Sequence, residues 1–462
     1  MKHIHFIGIA GKAMSGLAVM LKDIGYSVTG SDAGSFDPVA SYLKKNGLDF
    51  YTQYSASNIP TDADMIVIGK HAKLTLDNPE VATAFESGKK IYSLPQLTAE
   101  LATTRTQIVI AGSFGKSTCS GMASWILSQA DENPGYFIGG EIIGMEKSAA
   151  FGADPYFVIE GDEYPSSNFD DRAKFLHFNP KFLLLTSGEH DHVNVFPTIE
   201  SYLKPYQELI RNMPADGTIV ACDHGAHLRK ILRNAPCKVL WYGYTDYCDY
   251  KIGKTTYGNT STVELTTSAG VVEIQTQLLG KHNIENIAGV FGLLDTIGIA
   301  REKITSGVKT FKGVKGRLDK LSNDGAPVEI FLGFGSSYAK VRGCIDALQL
   351  HYPNKKLHII FEPHTFSWRD LSTQYWYNDA FTGATDVCVV MPPAEHGKDT
   401  SNSLDANSIT TLIQKSDINA VAADSIDEVK NWYGQNISKN EIVLLLTSGE
   451  LLGVAHSITS WA

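Results

Sequence analysis

Short apolar runs of strand length alternate along this chain with longer segments whose apolar residues recur every three to four positions. The first pattern suits buried strands and the second amphipathic helices, so the alternation predicts an α/β fold with parallel sheets covered by crossover helices. His3–Ile7 reads as a strand, Ala13–Ile24 as a helix with Met14, Leu17, Ala18 and Leu21 on one face, and Ser27–Gly30 as the next strand. Met65–Ile68 and Lys90–Ser93 extend that sheet. A polar joint at 102–107 precedes a second alternation, with strands at Ile108–Ala111, Tyr156–Ile159, Lys181–Leu185, Gly217–Ala221 and Lys238–Tyr242. A Thr-rich β segment, Thr255–Gln277, and a helix from about Ile284 complete it. The third alternation has strands at Val328–Phe331, Leu357–Phe361, Asp386–Val390 and Glu441–Leu446, after a joint, Phe311–Arg317, whose Gly313 and Gly316 suit a hinge. The joints divide the chain into domains at 1–105, 106–314 and 315–462.

Composition narrows the function. The chain has 462 residues, enough for several domains. Its 40 Lys and Arg stand against 50 Asp and Glu, for a net charge of −10, and no run of basic residues is longer than two. Nucleic acid and an anionic membrane surface are therefore not expected partners, and a phosphate ligand would need a local basic pocket. Six scattered cysteines contain no C-x-x-C pair, which fits neither a disulfide framework nor a zinc ribbon. Lys12 interrupts the first apolar stretch, and no window supplies the ~18 uncharged apolar residues of a membrane span. The expectation is a soluble, cytoplasmic protein.

Gly112-Ser113-Phe114-Gly115-Lys116-Ser117-Thr118 follows the strand Ile108–Ala111 and precedes a helical pattern through Met122, Trp125 and Ile126. Strand, glycine loop and helix in that order set backbone N–H groups and a helix N-terminus around a polyphosphate, with Lys116 on the terminal phosphates and Ser117 on magnesium. Ile110 stands where the eight-residue form of the pattern has Gly, so only the shorter G-x-x-G-K-S form is present. Two later strands end in acids, at Glu160-Gly161-Asp162-Glu163 and at Glu189-His190-Asp191-His192. The carboxyl ends of strands in an open α/β sheet line the ligand crevice, so both clusters point toward the phosphate loop. Carboxylate and imidazole can ligate a divalent cation there, although either cluster alone also describes a solvated loop. At the entrance of the later helix, Asn283 reads either as a helix cap or, with His282 and Asn286, as a ligand contact. Gly8-Ile9-Ala10-Gly11-Lys12-Ala13 is a weakened G-x-G-x-x-G, with Asp32 24 residues after Gly8, and marks a turn able to hold a pyrophosphate.

The order and spacing of these motifs resemble the Mur ligase family, ADP-forming amide ligases of peptidoglycan assembly, over essentially the whole chain. Gly8–Gly16 with Gly30-Ser31-Asp32 are similar to the UDP-binding domain of the UDP-N-acetylmuramate ligase branch. Within that branch, the stretch from Glu160 to Phe175, Ile91–Gln96 and Asp191–Phe196 are similar to the murein peptide ligases. The resemblance implies a Rossmann-like UDP-binding domain, a central P-loop ATP-binding domain and a Rossmann-like C-terminal domain that closes over the ATP and acceptor site. It implies ATP and Mg2+ as cofactors, and UDP-N-acetylmuramate and a peptide or amino acid as substrates joined through an acyl phosphate. By the same resemblance Gly112, Ser113, Gly115, Lys116, Ser117, Thr118, His282, Asn283 and Asn286 contact ATP, and Gly8, Gly11 and Asp32 contact the sugar nucleotide. Ser117, Glu160 and His192 hold metal, and Lys116, Arg317 and His192 are catalytic.

This sequence departs from the family in four places. Gly316 precedes Arg317 where relatives have a further arginine, and Ser187 replaces an Asn before Glu189. Where the family has Asp-x-x-His-x-Pro after a strand, this chain has Phe331–Tyr338, with neither acid nor imidazole, and Thr365 and Trp368 stand where relatives often carry basic side chains. Gly333→Asp with Ser336→His is expected to raise kcat/KM if the backbone follows the family path. The departures leave open a Mur-like binding protein without ligase activity, and the weakened glycine turn leaves open a nicotinamide-dependent oxidoreductase.

Overall fold

The apolar runs pair into three sheets in a computed structural model that describes residues 2–35, 37–153, 155–192, 195–224, 226–392 and 403–461. The first sheet, in the order β2-β1-β3-β4, is wholly parallel and joins β1 (His3–Ile7), β2 (Ser27–Ser31), β3 (Met65–Ile68) and β4 (Lys90–Ser93). The second comprises β5 (Thr106–Ala111), β6 (Gly135–Phe137), β7 (Ala149–Ala150), β8 (Tyr156–Glu160), β9 (Phe182–Leu185), β10 (Thr218–Cys222), β11 (Lys238–Gly243), β12 (Tyr250–Thr256), β13 (Ser261–Thr267) and β14 (Gly270–Thr276). Its order is β14-β13-β12-β11-β10-β9-β5-β8-β6-β7. Here β5 lies between β8 and β9, parallel to both, and Ile108, Val109 and Ile110 are fully buried. The third sheet, in the order β15-β16-β20-β17-β18-β19, contains β15 (Asp319–Lys320), β16 (Glu329–Phe334), β17 (Leu357–Phe361), β18 (Asp386–Val390), β19 (Asn419–Ala423) and β20 (Ile442–Thr447). Only its edge strand β15 is antiparallel to its neighbour.

The chain divides into two compact units. The first comprises Met1–Thr255, Thr262–Thr276 and Ile284–Phe311, and the second Thr256–Ser261, Gln277–Asn283 and Lys312–Ala462. Among the described residues, no helix is long and apolar enough to cross a membrane.

The pattern reading meets the structure closely at β1, β3, β4, β17 and β18, and misses in instructive ways elsewhere. The helix Lys12–Asp23 buries every residue from Met14 to Leu21 rather than one face, with Gly16 set against Ser148 and Ala149. Thr106 and Gln107, read as a polar joint, belong to β5, where the Gln107 amide donates to Ala102 O and accepts from Asn179 N–H. The Thr-rich segment begins at Tyr250 rather than Thr255, and β16 runs on to Phe334. The strand β19 was not expected, since Asn419-Ala420-Val421-Ala422-Ala423 has too little apolar bulk to stand out.

At the amino-terminal ends of β17, β18 and β20, His358 is buried between two acids, with Nδ1 2.9 Å from Asp386 and Nε2 3.0 Å from Glu441. Both ring nitrogens face carboxylates, so the charged imidazolium is the form that donates twice. Burial disfavours that charge, but the two acids outweigh it and hold the His358 pKa above its ordinary value. Glu441 is held below its ordinary value, burial being outweighed by Ser438 N–H and His358. A raised histidine contributes its stability fully below pH ~6.5 and loses it as pH rises through the folded value, whereas a depressed glutamate loses its share only as pH falls below ~4.5. His358→Gln is therefore expected to destabilise the second unit by about 3 kcal/mol near pH 6 and by progressively less at higher pH. Thermal unfolding of both chains across pH 5–9 measures this, and a difference that grows with pH would contradict it.

Candidate active site

Where β5 ends, the chain turns through Gly112–Gly115 into the helix Lys116–Gln129. Gly112 has φ +135°, and a Cβ there would collide with the Thr186 hydroxyl and come within 2.8 Å of Ser187 N. Gly115 has φ +84°, and its Cβ would lie 2.5 Å from Asn286 Oδ1. Both positions require glycine because neighbouring segments press against the loop. Those neighbours also pin it. The Thr186 hydroxyl donates to Phe114 O, the Phe114 N–H donates to Ser187 Oγ at 3.0 Å, and Ser113 donates to Glu189 O while accepting from the Tyr202 hydroxyl at 2.9 Å. The helix that follows has no side-chain N-cap and no acid in its first turn, which contains Ser117 and Thr118. Its positive end suits an anion.

Charged groups line the same place. Lys116 Nζ donates to Gly112 O at 2.6 Å and to the two oxygens of Glu163 at 3.1 and 2.9 Å. Burial lowers the Lys116 pKa, but Glu163 outweighs it and holds the ammonium above its ordinary value. The Ser117 hydroxyl donates to Glu160 Oε1 at 2.6 Å, and Glu160 Oε2 accepts from Gly139 N–H at 2.7 Å. His192, with the left-handed φ of +57°, sets Nε2 3.1 Å from Glu163 Oε1 and Nδ1 2.9 Å from the Tyr164 hydroxyl. Val193 and Asn194, part of the peptide-ligase resemblance, lie outside the described residues.

The expected residues fall into separate groups. Gly112, Ser113, Gly115, Lys116, Ser117, Thr118, Glu160, His192 and Asn286 all belong to the first unit, and Asn286 Oδ1 accepts from Cys119 Sγ at 3.3 Å. The three expected metal ligands are split: Ser117 meets Glu160, while His192 meets Glu163. Among the described residues no three His, Cys, Asp or Glu side chains gather in a ready-made metal cluster. Asn283 and His282 belong to the second unit, and Asn283 donates to Leu279 O at 2.8 Å. Arg317, also in the second unit, stacks its guanidinium 4.1 Å from the Phe334 ring centre. At the ends of β1 and β2, Gly8 N–H donates to Ser31 O at 2.8 Å, and Asp32 accepts from Ala10 N–H at 2.8 Å and from the Tyr54 hydroxyl at 3.2 Å. Asp32 thus shapes the turn between Gly8 and Gly11. Beside it a cavity of about 500 Å³ is lined by Ala33, Gln53, Tyr54, Lys73, Thr75, Asp77, Asn78 and Pro79. The residue that the motif reading missed is Glu163, three positions beyond Glu160 in an acidic run where spacing alone assigns no partner.

Residues 3–106 match the model of the Mur ligase family catalytic domain, and residues 110–294 match that of the Mur ligase middle domain. The UDP-N-acetylmuramate--L-alanyl-gamma-D-glutamyl-meso-2,6-diaminoheptandioate ligase of Escherichia coli is 30% identical over 347 residues, 75% of each chain. The chain belongs to the Mur ligase family. The UDP-N-acetylmuramate--L-alanine ligase of Desulfitobacterium hafniense is 26% identical over 459 residues, 99% of each chain. In three dimensions, the UDP-N-acetylmuramate–alanine ligase of Thermotoga maritima superposes with a TM-score of 0.81 at 19% identity, covering 100% of this chain and 99% of its own.

Within this Mur ligase, the altered stretch after Phe331 is not a loop lacking two side chains. Gly333 lies inside β16 with ordinary extended backbone, and a Cβ there would sit 2.7 Å from Cys344 Sγ and 3.1 Å from Leu446 Cδ2. Trp368 Nε1 donates to Gly335 O at 2.8 Å, the Thr365 hydroxyl donates to Ser336 O at 3.0 Å, and Lys340 Nζ donates to Ser336 Oγ at 3.1 Å. The substitutions therefore hold one another, which corrects the expectation that an acid at 333 restores a family contact. Gly333→Asp is expected to destabilise the second unit by about 1–3 kcal/mol through overpacking and to leave kcat/KM no higher, with or without Ser336→His. Denaturant unfolding alongside steady-state rates checks this, and a faster, equally stable variant would refute it.

Proposed function

We propose that this chain is an ADP-forming amide ligase that uses ATP to activate the carboxylate of UDP-N-acetylmuramate and joins it to a peptide. The pinned loop Gly112–Thr118, with Lys116 at the open end of its helix, carries the reading: it is a rigid set of donors for a polyphosphate in a chain of the Mur ligase family. The peptide is favoured as acceptor by the 30% identity to a ligase named for a tripeptide, with L-alanine the alternative. The proposed division of labour assigns 1–105 to the sugar nucleotide, 106–314 to ATP and 315–462 to the acceptor, in the cytoplasm.

Transfer of the terminal phosphoryl group to the carboxylate, and attack of the amine on the resulting acyl phosphate, both build negative charge on oxygen. The N–H groups of the helix start and Lys116 are the donors that meet that charge. Because Thr186, Ser187 and Glu189 fix the loop before ligand arrives, its dipoles need no reorganisation during reaction. The Ser117 hydroxyl and Glu160 carboxylate are hard oxygen donors already in contact, which fits Mg2+, and His192 with Glu163 offers a second place of mixed N and O character. A cation bound there supplies Lewis-acid neutralisation of the phosphate oxygens. A second reading, a nucleotide-sugar-binding protein without ligase activity, is favoured only by Gly333 and Ser336, where an acid and an imidazole were expected.

The deciding experiment measures ADP release with UDP-N-acetylmuramate against L-alanine, a dipeptide and the L-Ala-γ-D-Glu-meso-diaminopimelate tripeptide. Release with the tripeptide is expected; tight binding of UDP-N-acetylmuramate without ligation of any acceptor would replace the ligase reading by the binding one. Lys116→Ala is expected to lower kcat by at least about 10²–10³-fold without loss of folding. Glu160→Ala and His192→Ala are expected to raise the magnesium concentration for half-maximal rate, and an unchanged magnesium dependence in both would remove their assignment as ligands.

A further inference from the structure

The Glu163 side chain at the phosphate loop is wholly enclosed, and both of its oxygens face Lys116, with Oε1 also 3.1 Å from His192 Nε2. Lys116 has three protons to donate. Gly112 O at 2.6 Å takes one, and the two Glu163 oxygens, at 3.1 and 2.9 Å, lie too close together to take separate ones and share a second. A phosphate oxygen at the third draws on the same ammonium as Glu163, so two anions compete for one positive charge. On the reading of this site as a nucleotide-dependent ligase, we propose that Glu163 is a positioning residue. It holds Lys116 in the place of a terminal phosphate and shares that ammonium with the phosphate when nucleotide arrives.

Sharing leaves an enclosed carboxylate with only part of the charge that balances it, a costly state unless another positive charge replaces the rest. A divalent cation entering between the phosphates and the neighbouring acids is that replacement. Glu163 thus opposes nucleotide binding in the absence of metal and couples nucleotide to metal when both are present, a reciprocal linkage between two ligands of one site. An ordinary structural ion pair would weaken every ligand when removed. This one strengthens one ligand state while weakening the dependence on another.

The test is isothermal titration with ADP, in EDTA and in saturating MgCl2, on the full chain and on its Glu163→Gln and Glu163→Asp variants, with thermal unfolding of each. Glu163→Gln is expected to bind ADP about 10-fold more tightly in EDTA and to show a smaller ratio of metal-free to magnesium Kd than the unmodified chain. Glu163→Asp, which keeps the charge but withdraws it by one methylene, is expected to fall between the two, and it carries the test alone if Glu163→Gln does not fold. Metal-free affinity that is unchanged or weaker in a folded variant, while the unmodified chain binds ADP, overturns this inference and leaves the ligase reading standing. An unmodified chain that binds no ADP with or without magnesium overturns both.

Discussion

Lys116 begins a helix, at the end where the unsatisfied N–H groups already carry partial positive charge. Two like charges thus share a largely enclosed place, and the fold tolerates them because Glu163 stands against the Lys116 ammonium. The surrounding arrangement follows from that need. The strand β8 must deliver an acid beside the loop, the segment after β9 must bring donors over it, and glycine must occupy positions 112 and 115 so that these elements can approach. An anionic ligand at the same spot satisfies the same positive charge from outside, which is why a site stable when empty is also a site for phosphate.

What was legible in the sequence is what local chemistry alone dictates. An apolar run, two glycines and a Lys-Ser pair can be read as strand, turn and helix start without knowing any distant contact, and β5 and the helix Lys116–Gln129 lie where that reading puts them. Glu163 stands in an acidic run whose spacing assigns it no partner, since its partners lie 47 and 29 residues away and only the packing of β5, β8 and β9 brings them together. The end of β16 was illegible for the opposite reason. Gly333-Phe334-Gly335 looks like a turn, yet pairing with β20 from Glu329 through Phe334 extends the strand over it.

The second unit carries a related lesson about departures from a family pattern. A missing acid at 333 reads from the sequence as a lost function. In the fold, glycine there makes room for Cys344, while Trp368 and Thr365, themselves departures, hold the carbonyls of Gly335 and Ser336. Each of these residues occupies space or meets a polar group that another would otherwise leave wrong. Reversing one of them is then a packing problem before it is a catalytic one.

The same reasoning explains how two acids three residues apart come to serve different partners. Glu160 is the last residue of β8 and is aimed at Ser117 and the Gly139 N–H. The chain then passes Gly161, where a Cβ would come within 2.9 Å of Val109 Cγ1 and 3.2 Å of the Ala111 Cβ, so only glycine lets the backbone stay against β5 as the strand ends. That close passage, fixed by the Gly161 N–H donating to Ile110 O at 2.7 Å, keeps the following residues at the mouth of the loop. Asp162 is drawn off to Lys174 at 2.5 Å, which leaves Glu163 as the acid that faces Lys116 and His192. One small residue at a strand end thus separates a carboxylate suited to a cation beside Ser117 from one that governs the charge on Lys116.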